Sequence, residues 1–193
     1  MNAINLYRKA RWCYVHHVPL IPQFLKGITF VLYNTVVPYT TEIGKETKFA
    51  YGGMGCVING RSKIGDRVII GQNTTIGRSL DPEDYPSIGN DVYISAGARI
   101  VGKIHVGNNV IIGANAVICK DVEDNCIVAG IPARVLRTID VSIWDLLKNI
   151  QFKSSSEKSG GGYNRVNYNG LSVLSFLRAI SVWRFCITEV VYA

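Results

Sequence analysis

The residues best suited to proton transfer are concentrated in one short segment. Between residues 78 and 87 the chain carries three carboxylates and a phenol, namely Asp81, Glu83, Asp84 and Tyr85. Carboxylates so placed could orient a base, or an amine or hydroxyl group of a substrate. Since Asp and Pro are also ordinary turn formers, a solvated turn is the alternative interpretation of the same residues.

The elements that must hold this segment are indicated by a six-residue repeat. An aliphatic residue leads each unit, and the nine leaders are Ile64, Ile70, Ile76, Ile88, Ile94, Ile100, Val106, Ile112 and Ile118. A period of six fits neither a helix nor an alternating strand, and it is typical of a parallel β-helix in which three hexads form one triangular coil. Leaders of successive coils would stack inward about 4.8 Å apart. We therefore predict an all-β solenoid.

An ordinary parallel sheet is the competing architecture for a chain rich in Ile and Val. Parallel strands in a sheet need crossover connections, usually helices. The stretch from Ile88 to Val122 has no room for them. The repeat therefore favours the solenoid.

The same repeat places the histidine that lies within it. One coil of 18 residues back from His105 lies Ser87, at the end of the polar segment. This puts an imidazole near the mouth of the loop, where it could act as a base. A polar residue just before a leader is normally an exposed corner, so a surface histidine is the alternative.

Three segments are predicted along the 193 residues. Residues 1–38 form an N-terminal helical segment, residues 39–137 the β-helix, and residues 138–193 a helical or flexible C-terminal extension of unknown role. In the first segment two helices, over 3–17 and 21–33, are expected to break at prolines. They would either pack across the top of the prism or lie in a membrane interface through Trp12, Phe24 and Phe30. The stretch over residues 18–37 is largely apolar, but four residues interrupt it, so it is not expected to span a membrane: Pro22, Gln23, Lys26 and Asn34.

Composition restricts the partners. The formal charge is +7, but Lys and Arg are spread along the chain and no nucleic-acid motif appears, so we expect other anions as ligands. The five cysteines are odd in number and lack metal spacing, which indicates a reducing compartment and small apolar fillers of the core. The start of the chain shows no cleavable signal.

The predicted location is accordingly the cytoplasm, and no metal-ligand set is visible in the repeat. Three metal-binding histidines, which a zinc site of this fold would need, cannot be found in the coils. The basic surface suits phosphorylated cofactors, sugar nucleotides or an anionic membrane face.

Two sequence stretches carry a family resemblance. Residues 47–59 read Thr-Lys-Phe-Ala-Tyr-Gly-Gly-Met-Gly-Cys-Val-Ile-Asn, and residues 128–135 read Val-Ala-Gly-Ile-Pro-Ala-Arg-Val. Together with the hexads they resemble the left-handed β-helix acyltransferases, more narrowly the serine acetyltransferase-like branch found among capsule polysaccharide O-acetyltransferases. The resemblance covers roughly residues 1–137. It implies a left-handed parallel β-helix, a homotrimer with active sites in the grooves between prisms, and acetyl-CoA as co-substrate without a metal.

The resemblance also implies where acetyl-CoA lies. In the family the pantetheine arm runs beside small residues of the coils after the loop, which here are Ser95, Ala96, Gly97 and Ala114. The closing turn lies near the nucleotide end, where Arg134 could bind a CoA phosphate. An Arg side chain suits phosphate oxygens because its fork of N–H groups matches their geometry. A solvated surface charge is the alternative for Arg134.

The histidine that the family employs as a base is missing from its expected positions. Relatives carry it where this chain has Asn59, Gly52 or Tyr85. A carboxamide such as that of Asn59 accepts no proton near neutral pH. The candidate catalytic positions are therefore Asn59 itself, as the site of the substitution, and Asp84, Tyr85 and His105 as substitute bases.

Three interpretations stay open. The first is an O-acetyltransferase acting on a sugar or serine-like hydroxyl in surface polysaccharide biosynthesis. The second is an N-acyltransferase on an amino sugar, since a neutral amine is already nucleophilic and needs less help from a base. The third is a catalytically silent trimeric prism that binds CoA without turnover.

Overall fold

The computed structural model describes residues 2–81 and 83–147. The part of the predicted C-terminal extension from residue 148 onward lies outside the described residues. Two helices open the chain, α1 (Ala3–Val15) and α2 (Ile21–Tyr33). The side chain of Asn2 caps α1 by accepting a hydrogen bond from the Ile4 amide at 3.1 Å. The second helix has the predicted bounds, whereas the first ends two residues early because His17 has a positive φ of 54°.

Short strands then wind around three faces. Face 1 contains β1 (Glu42–Ile43), β4 (Lys63–Ile64), β7 (Ser87–Ile88) and β10 (His105–Val106). Face 2 contains β2 (Lys48–Phe49), β5 (Ile69–Ile70), β8 (Val92–Ile94), β11 (Val110–Ile112), β13 (Cys126–Gly130) and β14 (Ala133–Thr138). Face 3 contains β3 (Val57–Ile58), β6 (Thr75–Gly77), β9 (Arg99–Val101) and β12 (Val117–Ile118). Neighbouring strands are parallel, and the hairpin β13–β14 is antiparallel.

The hexad leaders form the core of this prism. All nine are at most 4% exposed, and leaders of successive coils pair in register, as Ile76 does with Ile100. The predicted aliphatic core is therefore confirmed. Its hydrophobic stacking fixes the register, because a slip by one residue would turn every leader out to solvent.

The corners between the faces use residues with positive φ. Corner 1–2, between faces 1 and 2, is formed by Glu46, Arg67, Asp91, Asn109 and Asn125. Corner 2–3, between faces 2 and 3, is formed by Gly55, Asn73, Gly97 and Asn115. Asn, Asp and Gly tolerate this conformation best, which explains their recurrence at the corners. Corner 3–1 differs, since it contains the loop over residues 78–86.

The first helix packs against the prism. Ala3, Ile4 and Tyr7 are buried and belong to the same core cluster as the hexad leaders. The Tyr7 hydroxyl also donates a hydrogen bond to the Thr41 carbonyl. For α1, the predicted packing on the prism is therefore confirmed. No helix in the described part of the chain is long and apolar enough to cross a bilayer.

After β14 the chain runs back along corner 1–2 and ends in a short helix, α3 (Ile143–Leu146). Asn109 holds this segment by accepting from the Ile143 amide at 2.7 Å and donating to the Val141 carbonyl at 3.0 Å. The Trp144 indole donates to Asp91 at 2.8 Å. The first residues of the predicted extension are thus part of the prism.

Candidate active site

The loop at corner 3–1 lies against the turn of the preceding coil. The Nη1 atom of Arg61 is 3.2 Å from Oε1 of Glu83, and its guanidinium carbon is 5.2 Å from the centroid of the Tyr85 ring. The side chain of Asn59 accepts a hydrogen bond from the Arg61 amide at 3.0 Å. The structure therefore brings Asn59 and Tyr85, two of the predicted positions, to the two sides of one arginine.

Arg61 is a site residue that the sequence reasoning missed. It precedes Tyr85 by one coil plus the inserted loop, as the pairing of Lys63 with Ser87 demonstrates. Counting back from Tyr85 by one coil of 18 residues plus the six extra residues of the loop leads to Arg61. The signal was therefore present in the spacing.

The loop carboxylates have different roles. The side chain of Asp81 accepts a hydrogen bond from the Glu83 amide at 2.9 Å. This contact is typical of a turn, so it agrees with the turn interpretation of Asp81. The Oδ2 atom of Asp84 accepts from the Ser79 hydroxyl at 3.1 Å. Asp84 thus ties the two ends of the loop together, and Glu83 ties the loop to Arg61.

The position predicted for His105 is confirmed. His105 pairs with Ser87 across adjacent coils, and its Nδ1 atom is 3.0 Å from the Ser87 Oγ atom. Its backbone amide donates to Asp121 at 2.8 Å, which fixes the strand end. The imidazole is exposed at the base of the loop, where an acceptor molecule could reach it.

The residues expected to bind acetyl-CoA lie at corner 2–3. The face 2 strands are in register, so the small residues that follow the inward-facing core positions form a row: Ala50, Gly71, Ser95, Gly113 and Ala129. The row is continued into the corner by Ala96, Gly97 and Ala114. Four steps between coils give it a length of roughly 19 Å.

Arg134 lies at one end of this row. It pairs with Ala129 in the β13–β14 hairpin, and it is exposed. At the other end lies Gly52, in a 3-10 helix over Ala50–Gly53. A side chain at Gly97 in the middle would be strained, because its φ is +74° and a Cβ atom there would approach Asn115 Oδ1 to 2.0 Å. The row therefore presents only small residues, and the guanidinium of Arg134 lies at its end.

The two groups of residues occupy different corners of the prism. Face 3 separates corner 2–3 from corner 3–1, and the four residue steps from Asn73 to Gly77 span about 13 Å. The three positions at which the resemblance leads one to expect histidine are divided accordingly, Gly52 at the first corner and Asn59 and Tyr85 at the second. Within one chain these groups do not form a single site.

The described residues contain no group of three or more His, Cys, Asp or Glu side chains that could hold a metal ion. Cys56 is buried, and burial raises the pKa of its thiol. The same holds for Cys126, where burial and the nearby Glu123 raise the thiol pKa. A raised pKa keeps the thiol protonated and unreactive, as expected for cysteines that fill the core.

Comparison with known proteins agrees with this architecture. Residues 85–120 match the family described as bacterial transferase hexapeptide (six repeats). Residues 85–120 therefore carry hexapeptide repeats of this kind. Together with the solved structures it resembles, this repeat implies a left-handed β-helix.

Among its relatives, this hexapeptide-repeat chain is 33% identical over 159 residues to a serine acetyltransferase of Synechococcus elongatus, covering 81% of this chain and 64% of the relative. It is 32% identical over 138 residues to a serine acetyltransferase of Bacillus pumilus, covering 70% of this chain and 63% of the relative. The chain thus spans less than two thirds of the length of either relative.

Solved structures of serine acetyltransferases are similar to this chain. The serine acetyltransferase of Brucella abortus has a TM-score of 0.67 at 29% identity, covering 71% of this chain and 56% of that protein. A serine acetyltransferase in complex with CoA has a TM-score of 0.63 at 30% identity, covering 69% of this chain and 55% of that protein.

Proposed function

We propose that this chain is an acetyl-CoA-dependent O-acetyltransferase whose acceptor is a sugar or serine-like hydroxyl, with surface polysaccharide as the sugar acceptor. The observation that carries the proposal is the row of small residues along corner 2–3 that ends at Arg134. An extended pantetheine arm fits a smooth row of roughly 19 Å, and an Arg at its end can bind phosphate. A serine acetyltransferase with 30% identity has been solved in complex with CoA, which supports the same ligand here.

The active unit in this proposal is a homotrimer. The acetyl-CoA row and the loop cluster lie at different corners, so a complete site needs corner 3–1 of one protomer against corner 2–3 of the next. Closed threefold symmetry satisfies this requirement three times with one kind of contact. Each groove then contains Arg134 from one protomer and His105 from its neighbour.

His105 is the base in this arrangement. Asp84 accepts a hydrogen bond from Ser79, and the guanidinium of Arg61 covers the ring of Tyr85. The imidazole of His105 is exposed by contrast. With the proton of Nδ1 directed to Ser87, the Nε2 lone pair is available to the acceptor hydroxyl. The hydroxyl oxygen attacks the thioester carbonyl as its proton passes to Nε2. The C–S bond then breaks, and the CoA thiolate receives that proton.

The four cysteines in the described part of the chain are free thiols, which suits a reducing compartment. We place the reaction in the cytoplasm for this reason.

The proposal is tested with the full chain, acetyl-CoA and a panel of acceptors comprising L-serine, a neutral hexose, an amino sugar and a bacterial oligosaccharide. Release of the CoA thiol is followed with a thiol-reactive dye, and the product is identified by mass spectrometry. An O-acetyl product supports the proposal, and an N-acetyl product on the amino sugar alone supports the N-acyltransferase instead. CoA binding without turnover of any acceptor supports the silent prism.

The oligomer is measured separately by sedimentation at micromolar concentration. A mass of three subunits supports the shared groove. A mass of one subunit refutes it, since no single chain then brings His105 near Arg134.

A further inference from the structure

The second helix leaves much of its apolar surface exposed. In α2 the buried residues are Pro22 and Thr29. Phe24, Phe30 and Val31 are 69%, 53% and 81% exposed. A surface helix ordinarily turns its apolar stripe toward the core. In α2, Phe24, Phe30 and Val31 are instead left exposed.

The exposed apolar surface extends beyond α2. Trp12 and Val15 at the end of α1 are 59% and 56% exposed, and Leu20 between the helices is 78% exposed. A groove of about 550 Å³ on α2 is lined by Phe24, Gly27, Ile28, Phe30, Val31 and Leu32. We call Trp12, Val15, Leu20 and the residues of this groove the apolar surface. Large exposed apolar side chains concentrated in one segment of a chain mark an interaction site.

The charges of the segment that carries the apolar surface have one sign. Residues 2–41 contain four cations and no Asp or Glu: Arg8, Lys9, Arg11 and Lys26. Arg8 and Arg11 donate to the carbonyls of Gly44 and Tyr39, which fixes α1 on the prism. Lys9 and Lys26 are exposed. An occupant of the apolar surface therefore meets positive charge at its margin.

We infer that the apolar surface binds the interface of an anionic lipid bilayer. Its aromatic and aliphatic side chains would enter the acyl boundary, and Lys9 and Lys26 would contact the anionic headgroups. At 13 residues, α2 is about 20 Å long, so it would lie in the plane of the interface and not cross it. The inference is independent of the proposed acetyl transfer.

Two other occupants are less compatible with the charges. A second copy would bring the same four cations to the contact without a carboxylate from residues 2–41. The apolar run over residues 171–191 carries Arg178 and Arg184 against one Glu189, so it has the same sign. An anionic bilayer complements both the apolar side chains and the cations.

The test is flotation of the full chain with two kinds of vesicle, one of pure phosphatidylcholine and one containing roughly one quarter phosphatidylglycerol. We expect retention on the anionic vesicles at about 50 mM salt, at least tenfold weaker retention on the neutral ones, and weakening at about 500 mM salt. Phe24→Ser combined with Val31→Ser should reduce anionic binding about tenfold or more, and Lys26→Glu should reduce it severalfold.

Matched control variants are available on the prism. Leu80 is 100% exposed on the loop, so Leu80→Ser removes an exposed apolar residue outside the apolar surface. Lys103→Glu reverses an exposed charge on a coil. Neither should change flotation, and thermal melting verifies that every variant is folded.

Three results would overturn the inference. Absence of retention on both vesicles would exclude a lipid occupant. Equal retention on both kinds of vesicle would exclude a role for the charges. Equal losses in the control variants would exclude a specific role for the assigned residues. If in addition Phe24→Ser lowers the sedimenting mass, the apolar surface is a contact between copies.

Discussion

The Oγ atom of Ser87 lies 3.0 Å from the Nδ1 atom of His105, 18 residues further along the chain. This contact joins the first residue after the loop to the imidazole on the next coil. The position of the base in the proposed reaction is therefore coupled to the loop that carries Asp84 and Tyr85. Four predictions test the site and the fold that supports it.

Replacement of the imidazole should abolish most of the activity. His105→Gln keeps a polar side chain but cannot accept the proton, and a positioned base contributes about 10²–10⁴-fold to the rate. We expect kcat to fall within this range while CoA binding stays unchanged. Ser87→Ala should give a smaller loss and a shifted pH–rate profile, because it changes the orientation and not the presence of the base. His16→Gln, in a residue that stacks on Trp12, is the control. Full activity of His105→Gln would assign the base to another group.

A histidine at position 59 should increase turnover. Asn59 lies beside Arg61 at corner 3–1, and its side chain is half-buried at the end of β3. Asn59→His introduces a base at a position where the family resemblance leads one to expect it, with a gain of up to about 10²-fold. Loss of the hydrogen bond to the Arg61 amide should cost about 1 kcal/mol of stability. Thioester consumption by the two forms is compared with a thiol-reactive dye. Equal, substantial rates for the parent chain and Asn59→His would indicate that His105 already acts as the base.

Removal of the cation at the end of the row should weaken CoA binding. Arg134→Ala eliminates a charge-assisted contact to phosphate, worth about 1–3 kcal/mol. Calorimetric titration with CoA measures the loss. Arg137→Ala is the matched control because Arg137 is also exposed on β14. An unchanged dissociation constant for Arg134→Ala would move the phosphate site elsewhere.

The segment at corner 1–2 should stabilise the prism in a pH-dependent way. The hydrogen bond from Arg67, 2.5 Å from Asp91 Oδ2, lowers the pKa of the Asp91 carboxyl, and the Trp144 indole lowers it further. A lowered pKa contributes stability above the unfolded value of about 3.9, which is lost as the pH falls through the folded pKa. Asp91→Asn should therefore cost about 1 kcal/mol at neutral pH and less below about pH 4.

Denaturant unfolding at several pH values measures this difference, and Asp145→Asn on the same segment is the control. Trp144→Phe, which removes the indole donor, should reproduce part of the loss. A constant difference between Asp91→Asn and the parent chain down to pH 3 would contradict the assignment.

The coils were predictable because their signal is local and repeated. Each leader needs only its own hexad to be recognised, and stacking copies of one unit leaves little choice of topology. The same periodicity located His105 beside Ser87 before any coordinates. Arg61 was missed because the loop adds six residues to the coil, a shift already visible in the 12-residue spacing from Ile76 to Ile88 and confirmed by the pairing of Lys63 with Ser87.

The sequence by itself determined the parallel solenoid, its aliphatic core and the coil neighbour of His105, since these follow from a regular period and the burial of one residue type. Tertiary structure decided which side chains meet at the corners. It separated Gly52 from Asn59 and Tyr85, placed Asp91 against Trp144, and left Phe24 and Val31 exposed on α2. Corner contacts depend on how the coils stack and on how the terminal segments pack across them, and no local pattern in the chain encodes that packing.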